Sequence, residues 1–239
     1  MGQLATKFMD NAAVTLPKLA LPVISSLKIT TYPILTTDNI LQYDCSAGSF
    51  VTTLPTAVGA TGKTYTLIRI NQTASVEVTI NTTSGQTMGG IASGGIALDI
   101  QRESISFISD GANWQILYWN IPQIQYSLTV AGTNWTTARA VALITKTQSA
   151  TPVWRANIDV GGNVSVASAN IVLTVTGLAF ALGGPNNRQS VYSSDDAFGG
   201  APSNPFASGS TLQLNFAAPT TGLTCGATLE LASKPTFAM

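Results

Sequence analysis

The side chains able to do chemistry in this sequence are few: eleven Asp and Glu, eleven Lys and Arg, two cysteines and no histidine among 239 residues. Without histidine the commonest general base, the usual serine-protease arrangement and most zinc hydrolase sites are out of reach. Acid–base work would have to rest on paired carboxylates, as in glycoside hydrolysis, where two carboxyl groups flank the scissile bond at about 5 to 9 Å. Asp195 and Asp196 are the only adjacent pair. Neighbours along a chain seldom face one substrate, so solvated loop charge or a weak cation site explains these two better than catalysis. Cys45 and Cys225 lie far apart, form neither a zinc-ligand spacing nor a redox motif, and read as buried thiols. No phosphate-binding loop, dinucleotide fingerprint or nucleophile elbow occurs. The expectation is a protein without catalytic site, metal or cofactor, made for assembly and surface contact.

Composition agrees with that direction. Charged residues make up 9 % of the chain at a formal net charge of zero, which leaves no basic footprint for nucleic acid. A hydrophobic share of 45 % is enough to build a core. Ser, Thr, Asn, Gln and Gly stand where a helical protein would carry Lys and Glu, and they favour strands and turns. A polar surface with little charge loses the self-repulsion that keeps copies apart, so a homo-oligomer is expected. The absence of a basic segment leading into an apolar one, and of any run of about 18 apolar residues, argues against secretion and against a membrane span. The sequons at Asn71, Asn81 and Asn134 then read as accidents of a Thr-rich sequence.

The elements that would position any contact residue fall into three parts. In residues 1–33, Leu4, Phe8, Met9 and Ala12 recur at helical spacing and Pro17 stops the pattern. A helix this short is marginal alone, so its stripe must be covered, and the segment from Pro22 to Pro33 reads as linker. In residues 34–120, Phe50–Pro55, Thr64–Ile70 and Val76–Ile80 read as strands. Tyr65, Leu67 and Arg69 share one face of the second, and Val76, Val78 and Ile80 share one face of the third. Glycines crowd the stretch 85–95, which suits close turns or the near approach of neighbouring chains. Ser104–Ser109 and Trp114–Tyr118, joined by Asp110-Gly111-Ala112-Asn113, predict a hairpin with Trp114 packed beneath its turn.

Pro122 marks a boundary, and residues 121–239 resume the alternation. Tyr126–Val130, Ala138–Ile144, Val153–Val160, Ile171–Leu178, Thr211–Phe216 and Ala227–Leu231 predict at least six strands, a count that fits a two-sheet sandwich or jelly roll. Between Gly183 and Gly209 the sequence reads as one long loop, and loops of such length often carry function. Its Tyr192, among Asn186, Asn187, Arg188, Asp195 and Asp196, offers a ring for stacking and amides, a guanidinium and carboxylates for hydroxyl groups, the chemistry of a glycan-contacting surface; the alternative reading is a disordered or trimer-packing loop with its aromatics tucked inward.

Three groups of segments bring a family into view. Ala5-Thr6-Lys7-Phe8 with Asn11 through Ala20 resembles the N-terminal piece of tailed-bacteriophage fibre and tail-associated proteins. Phe50-Val51-Thr52-Thr53-Leu54-Pro55, Gly62-Lys63-Thr64-Tyr65 and Ser109-Asp110-Gly111-Ala112-Asn113-Trp114 are similar to a β-rich module of phage fibres and spikes. Thr133 through Ala140 and Trp154 through Ile158 resemble C-terminal domains of phage virion proteins. The resemblance implies an all-β homotrimeric virion component made in the host cytoplasm. Its anchor to other virion proteins would be the N-terminal arm, through Leu4, Phe8, Met9 and Ala12, and its outward β-domain would touch a host surface glycan. A short tail fibre is the leading expectation and a capsid decoration or head-fibre protein the alternative.

Overall fold

In the first half, apolar and polar residues alternate, and a strand with a period of two can bury one face while keeping its polar face toward solvent or a neighbour. The computed structural model describes residues 24–71, 76–132, 135–164, 170–176, 189–193, 206–208, 211–217 and 223–231. The expected helical arm, with Leu4, Phe8, Met9 and Ala12, lies outside these residues. Among the described residues the protein is all-β, and no helix is long and apolar enough to cross a membrane.

The first module contains β1 (Tyr32–Pro33), β2 (Ile40–Tyr43), β3 (Phe50–Leu54), β4 (Thr64–Arg69), β5 (Val78–Thr82), β6 (Ile96–Leu98), β7 (Ser104–Ser109) and β8 (Trp114–Asn120). They form two four-stranded sheets, β1-β3-β5-β6 and β2-β4-β7-β8. The chain begins by crossing from one sheet to the other after every strand, so that β1, β3 and β5 run parallel and β2 runs parallel to β4. Parallel neighbours need a crossover connection, and here the opposite sheet supplies it in place of a helix. Ile24 and Lys28 bridge in parallel to β2. The segment read as linker therefore adds to this coil, because its backbone finds partners on an open strand edge. The coil ends where β6 turns back against β5 and β7 and β8 close the other sheet as an antiparallel hairpin.

Between the sheets lies one core that includes Leu41, Tyr43, Leu54, Leu67, Ile80, Phe107 and Trp114, all buried. Each aliphatic side chain sealed in this way stabilises the fold by about 1.5–3 kcal/mol. Tyr65, Leu67 and Arg69 do share the inward face of β4. The expected hairpin forms, and Trp114 is fully buried with its ring 5.3 Å from that of Tyr65 and its indole N–H donating to the Pro55 carbonyl at 3.0 Å. The Asp110 carboxylate closes the turn by accepting from the backbone N–H groups of Ala112 and Asn113. A register shift in the hairpin pairs Ser106 with Tyr118 but Phe107 with Ile116, which leaves Leu117 unpaired and turns both Leu117 and Tyr118 outward. The glycine-rich stretch makes turns: Gly85, Gly89, Gly90 and Gly94 all have positive φ. Cys45 is buried, with its Sγ 3.6 Å from Asn71 Oδ1.

Among its described residues the second module is wholly antiparallel. Its strands are β9 (Ile124–Ser127), β10 (Thr129–Ala131), β11 (Trp135–Lys146), β12 (Trp154–Val164), β13 (Asn170–Thr176), β14 (Gln189–Ser193), β15 (Phe206–Ser208), β16 (Thr211–Ala217) and β17 (Leu223–Leu231). They are ordered β14-β17-β12-β11-β9 in one sheet and β10-β13-β16-β15 in the other. The run Tyr126–Val130, expected as one strand, is broken at Leu128. Its buried side chain and its N–H bond to the Ala140 carbonyl mark the point where the chain passes from one sheet to the other. The stretch 183–209 is also not loop throughout, since β14 pairs with β17 and β15 with β16.

Candidate functional site

The densest polar arrangement among the described residues lies where the two modules meet. On β11 the side chains of Ala142, Ile144 and Lys146 fall in phase and all are buried, so the alternation that packs two apolar residues also carries an ammonium inward. The Lys146 side chain is 2 % exposed, and its Nζ donates to Asp99 Oδ1 at 2.7 Å, Glu103 Oε1 at 2.9 Å and the Ala97 carbonyl at 2.9 Å. Asp99 and Glu103 flank the tight turn between β6 and β7, and both are buried. Rings of Trp119 and Trp154 stand 5.8 Å from Nζ on either module.

Glu103 organises its own loop. Its Oε2 accepts from the backbone N–H of Asp99 at 2.8 Å and of Ile100 at 3.2 Å, and its Oε1 accepts from the Trp119 indole at 3.0 Å as well as from Lys146. Burial drives its carboxyl toward the protonated form, raising its pKa, while the Lys146 ammonium opposes that rise. The turn is tight enough to place Arg102 in the left-handed region at φ 65°, a conformation that costs a non-glycine residue about 1 kcal/mol or more. Beneath it the fully buried Arg69 donates to the carbonyls of Asn71 and Val76 at 2.9 and 2.8 Å, while its N–H bonds the Glu103 carbonyl. The two modules are further tied by the Gln148 side-chain amide on the Trp119 carbonyl.

Beside the cluster, residues 100–102 and 122–125, among them Gln101, Arg102, Gln123 and Gln125, line an open cleft of about 380 Å³. The two carboxylates of the cluster converge as metal ligands would, but the Lys146 ammonium occupies the point where a cation would sit. Among the described residues no group of three His, Cys, Asp or Glu gathers around a common point.

Of the residues singled out from sequence, Tyr192 lies on the edge strand β14, opposite Gly226 of β17. Asn186, Asn187, Arg188, Asp195 and Asp196 lie outside the described residues, as do the arm residues. Lys146, Asp99 and Glu103 are not among the residues that the sequence singles out. The signal for the first was a lysine in phase with the apolar face of a strand. The other two sit 47 and 43 positions away from it, with no local pattern linking them. The chain matches no protein-family model, and comparison with curated proteins finds no match.

Proposed function

We propose that this chain is a structural component of a tailed-phage virion. It is a short, non-catalytic tail fibre that assembles as a homotrimer, docks on other virion proteins through its N-terminal arm and contacts host surface glycan or receptor with its C-terminal domain. In this reading the two antiparallel sheets are the faces of a jelly-roll-like sandwich, and Asn186, Asn187, Arg188, Tyr192, Asp195 and Asp196 are the proposed receptor contacts. The observation that carries the reading is the sealed junction. A protein held at one end and loaded at the other must transmit force between its parts, and here an ion cluster, two indole rings and a side-chain amide stand where a flexible linker would yield.

Two further features support assembly. Ile24, Leu27, Ile29 and Leu35 are exposed directly after the arm, and Leu117 and Tyr118 are exposed on β8, so apolar surface is available for a neighbouring copy. The near absence of charge lets copies approach without repulsion. Multivalent display would then turn weak single-site contacts into useful avidity.

The test is a single-particle map of virions containing the chain, paired with light scattering of the purified protein. Density at the tail, a trimeric mass and competition with virions for adsorption to host cells are the expected results. Density on the head would make the chain a capsid decoration protein, and its absence from purified particles would end the virion reading.

A further inference from the structure

We propose that Lys146 and Asp99 become joined by an intramolecular isopeptide bond, formed without enzyme or cofactor, with Glu103 as the proton carrier. Three facts of geometry carry this. A lysine nucleophile lies 2.7 Å from one carboxylate and 2.9 Å from a second, so an electrophile and a base both touch the same nitrogen. All three groups are sealed from water, with side-chain exposures of 2 % for Lys146, 5 % for Asp99 and 0 % for Glu103. Walls of Trp119 and Trp154 surround the nitrogen.

Fixed placement removes the entropic cost of bringing the pair together, an advantage equivalent to effective concentrations of about 10⁵–10⁸ M in well-oriented systems. Exclusion of water then opposes the reverse hydrolysis.

The step balances as a condensation. The Lys146 ammonium gives a proton, by way of Glu103, to the Asp99 carboxylate, leaving a free amine beside a neutral carboxylic acid. The Nζ lone pair attacks Asp99 Cγ and the Nζ–Cγ bond forms. Glu103 takes a second proton from Nζ and delivers it to the departing hydroxyl, the C–O bond breaks and one water leaves. Glu103 ends as it began, and nothing is oxidised or reduced.

Glu103 is assigned as the base because of what its oxygens hold. Attack at Glu103 would remove an oxygen that accepts either the Trp119 indole or the backbone N–H groups of Asp99 and Ile100, and would orphan a buried donor. The Asp99 Oδ1 that faces the nucleophile holds the Lys146 ammonium, whose charge the reaction abolishes. The raised pKa of Glu103 suits a group that must carry a proton and then release it. The bond would close a covalent loop from the β6–β7 turn of the first module to the end of β11 in the second, across 47 positions of chain.

Intact-mass measurement of the purified full chain decides the matter, followed by tandem mass spectrometry of a tryptic digest. The expected result is a mass one water below that of the sequence, with a branched peptide joining the segment that contains Lys146 to the one that contains Asp99, and no cleavage after Lys146. Lys146→Arg and Glu103→Gln are expected at their full sequence masses. Asp99→Asn is expected to lose ammonia in place of water and so to reach the same final mass as the natural chain. A natural chain that keeps its full sequence mass after prolonged incubation would overturn the proposal. So would a lost water that maps to a cyclic imide at Asp110-Gly111 and persists in Lys146→Arg. Because the natural chain alone gives a deciding result, the test holds even where a variant fails to fold.

Discussion

The two modules solve the strand-pairing problem in opposite ways. In the second, β11 and β12 run for 12 and 11 residues and pair along most of their lengths through one short connection, so their backbone groups satisfy each other. In the first, no strand among the described residues exceeds seven residues, and the chain changes sheets repeatedly. Short strands leave many loop N–H and C=O groups near the core, and buried backbone groups must find partners. The first module supplies them with side chains. Gln86 accepts from the Ala57 N–H, Asn113 from the Thr87 N–H, Asn71 from the Cys45 N–H and Asp38 from the Leu35 N–H, while Arg69 donates to loop carbonyls. The lesson is that a coil of short strands spends polar residues on many corners, whereas the long hairpin spends them at its one connection, where Thr147 Oγ1 accepts from the Val153 N–H and the Ser149 hydroxyl donates to the Thr151 carbonyl. Lys146 is the point where the second module contributes such a polar pin to the first.

The variant expected to disturb this arrangement most is Lys146→Met, which leaves Asp99 and Glu103 buried with neither the ammonium nor the proposed covalent link to hold them. Losing one partner of a buried pair costs about 3–5 kcal/mol. Guanidinium unfolding followed by tryptophan fluorescence and by circular dichroism is expected to show coincident transitions in the natural chain and separated ones in the variant. Coincident transitions in both would mean that the modules do not depend on this pin.

Trp114→Ala removes the largest side chain of the first core and is expected to cost about 3–5 kcal/mol. The loss should appear as reduced amide-exchange protection in β2–β8, with β11 and β12 spared. Equal loss of protection in both modules would erase the distinction drawn between them.

Gly111→Ala probes a corner. At φ 98° a Cβ is strained, and it would stand 2.7 Å from the Thr61 hydroxyl, so a loss of roughly 1–2 kcal/mol in urea titration is expected. No loss would mean that the turn relaxes freely.

Acid sharpens the comparison further. Burial works to raise the Asp38 pKa, but hydrogen bonds from Ser25, the Leu35 N–H and Tyr32, together with the nearby Lys28 charge, hold it below the ordinary carboxylate value. A depressed carboxyl contributes stability that is present above its unfolded value near 3.8 and is lost as pH falls through the lower folded value. The stability gap between the natural chain and Asp38→Asn should therefore close on acidification below pH 3.8. A gap that stays constant from neutrality to that range would show that the carboxylate's charge does not matter. The smallest effect is expected at the exposed Arg139–Asp159 pair on the β11–β12 ladder, where Arg139→Ala should cost no more than about 1 kcal/mol and less at high salt.

Strand identity was legible in residues such as Tyr65, Leu67, Val78 and Ile80, because a period of two is a local property and each of these side chains needs only its own strand to choose a face. The hairpin around Asp110-Gly111 was legible for the same reason. The strands β2, β6, β14 and β15 escaped notice because they are short, at three to five residues, and their pairing partners supply what their own pattern lacks. The Lys146 cluster escaped because its members are brought together only when β11 is laid against the β6–β7 turn.

The sequence by itself determined that this chain builds strands, that it carries almost no charge to steer partners and that histidine chemistry is closed to it, since composition and local alternation act over a few residues at a time. The tertiary structure alone decided which strands run parallel, where the linker-like residues after Ile24 find an edge to join, and which carboxylates meet the one lysine turned inward on β11. Those outcomes depend on contacts between residues tens of positions apart, and the closing of such contacts is governed by how whole sheets pack rather than by any local pattern of side chains.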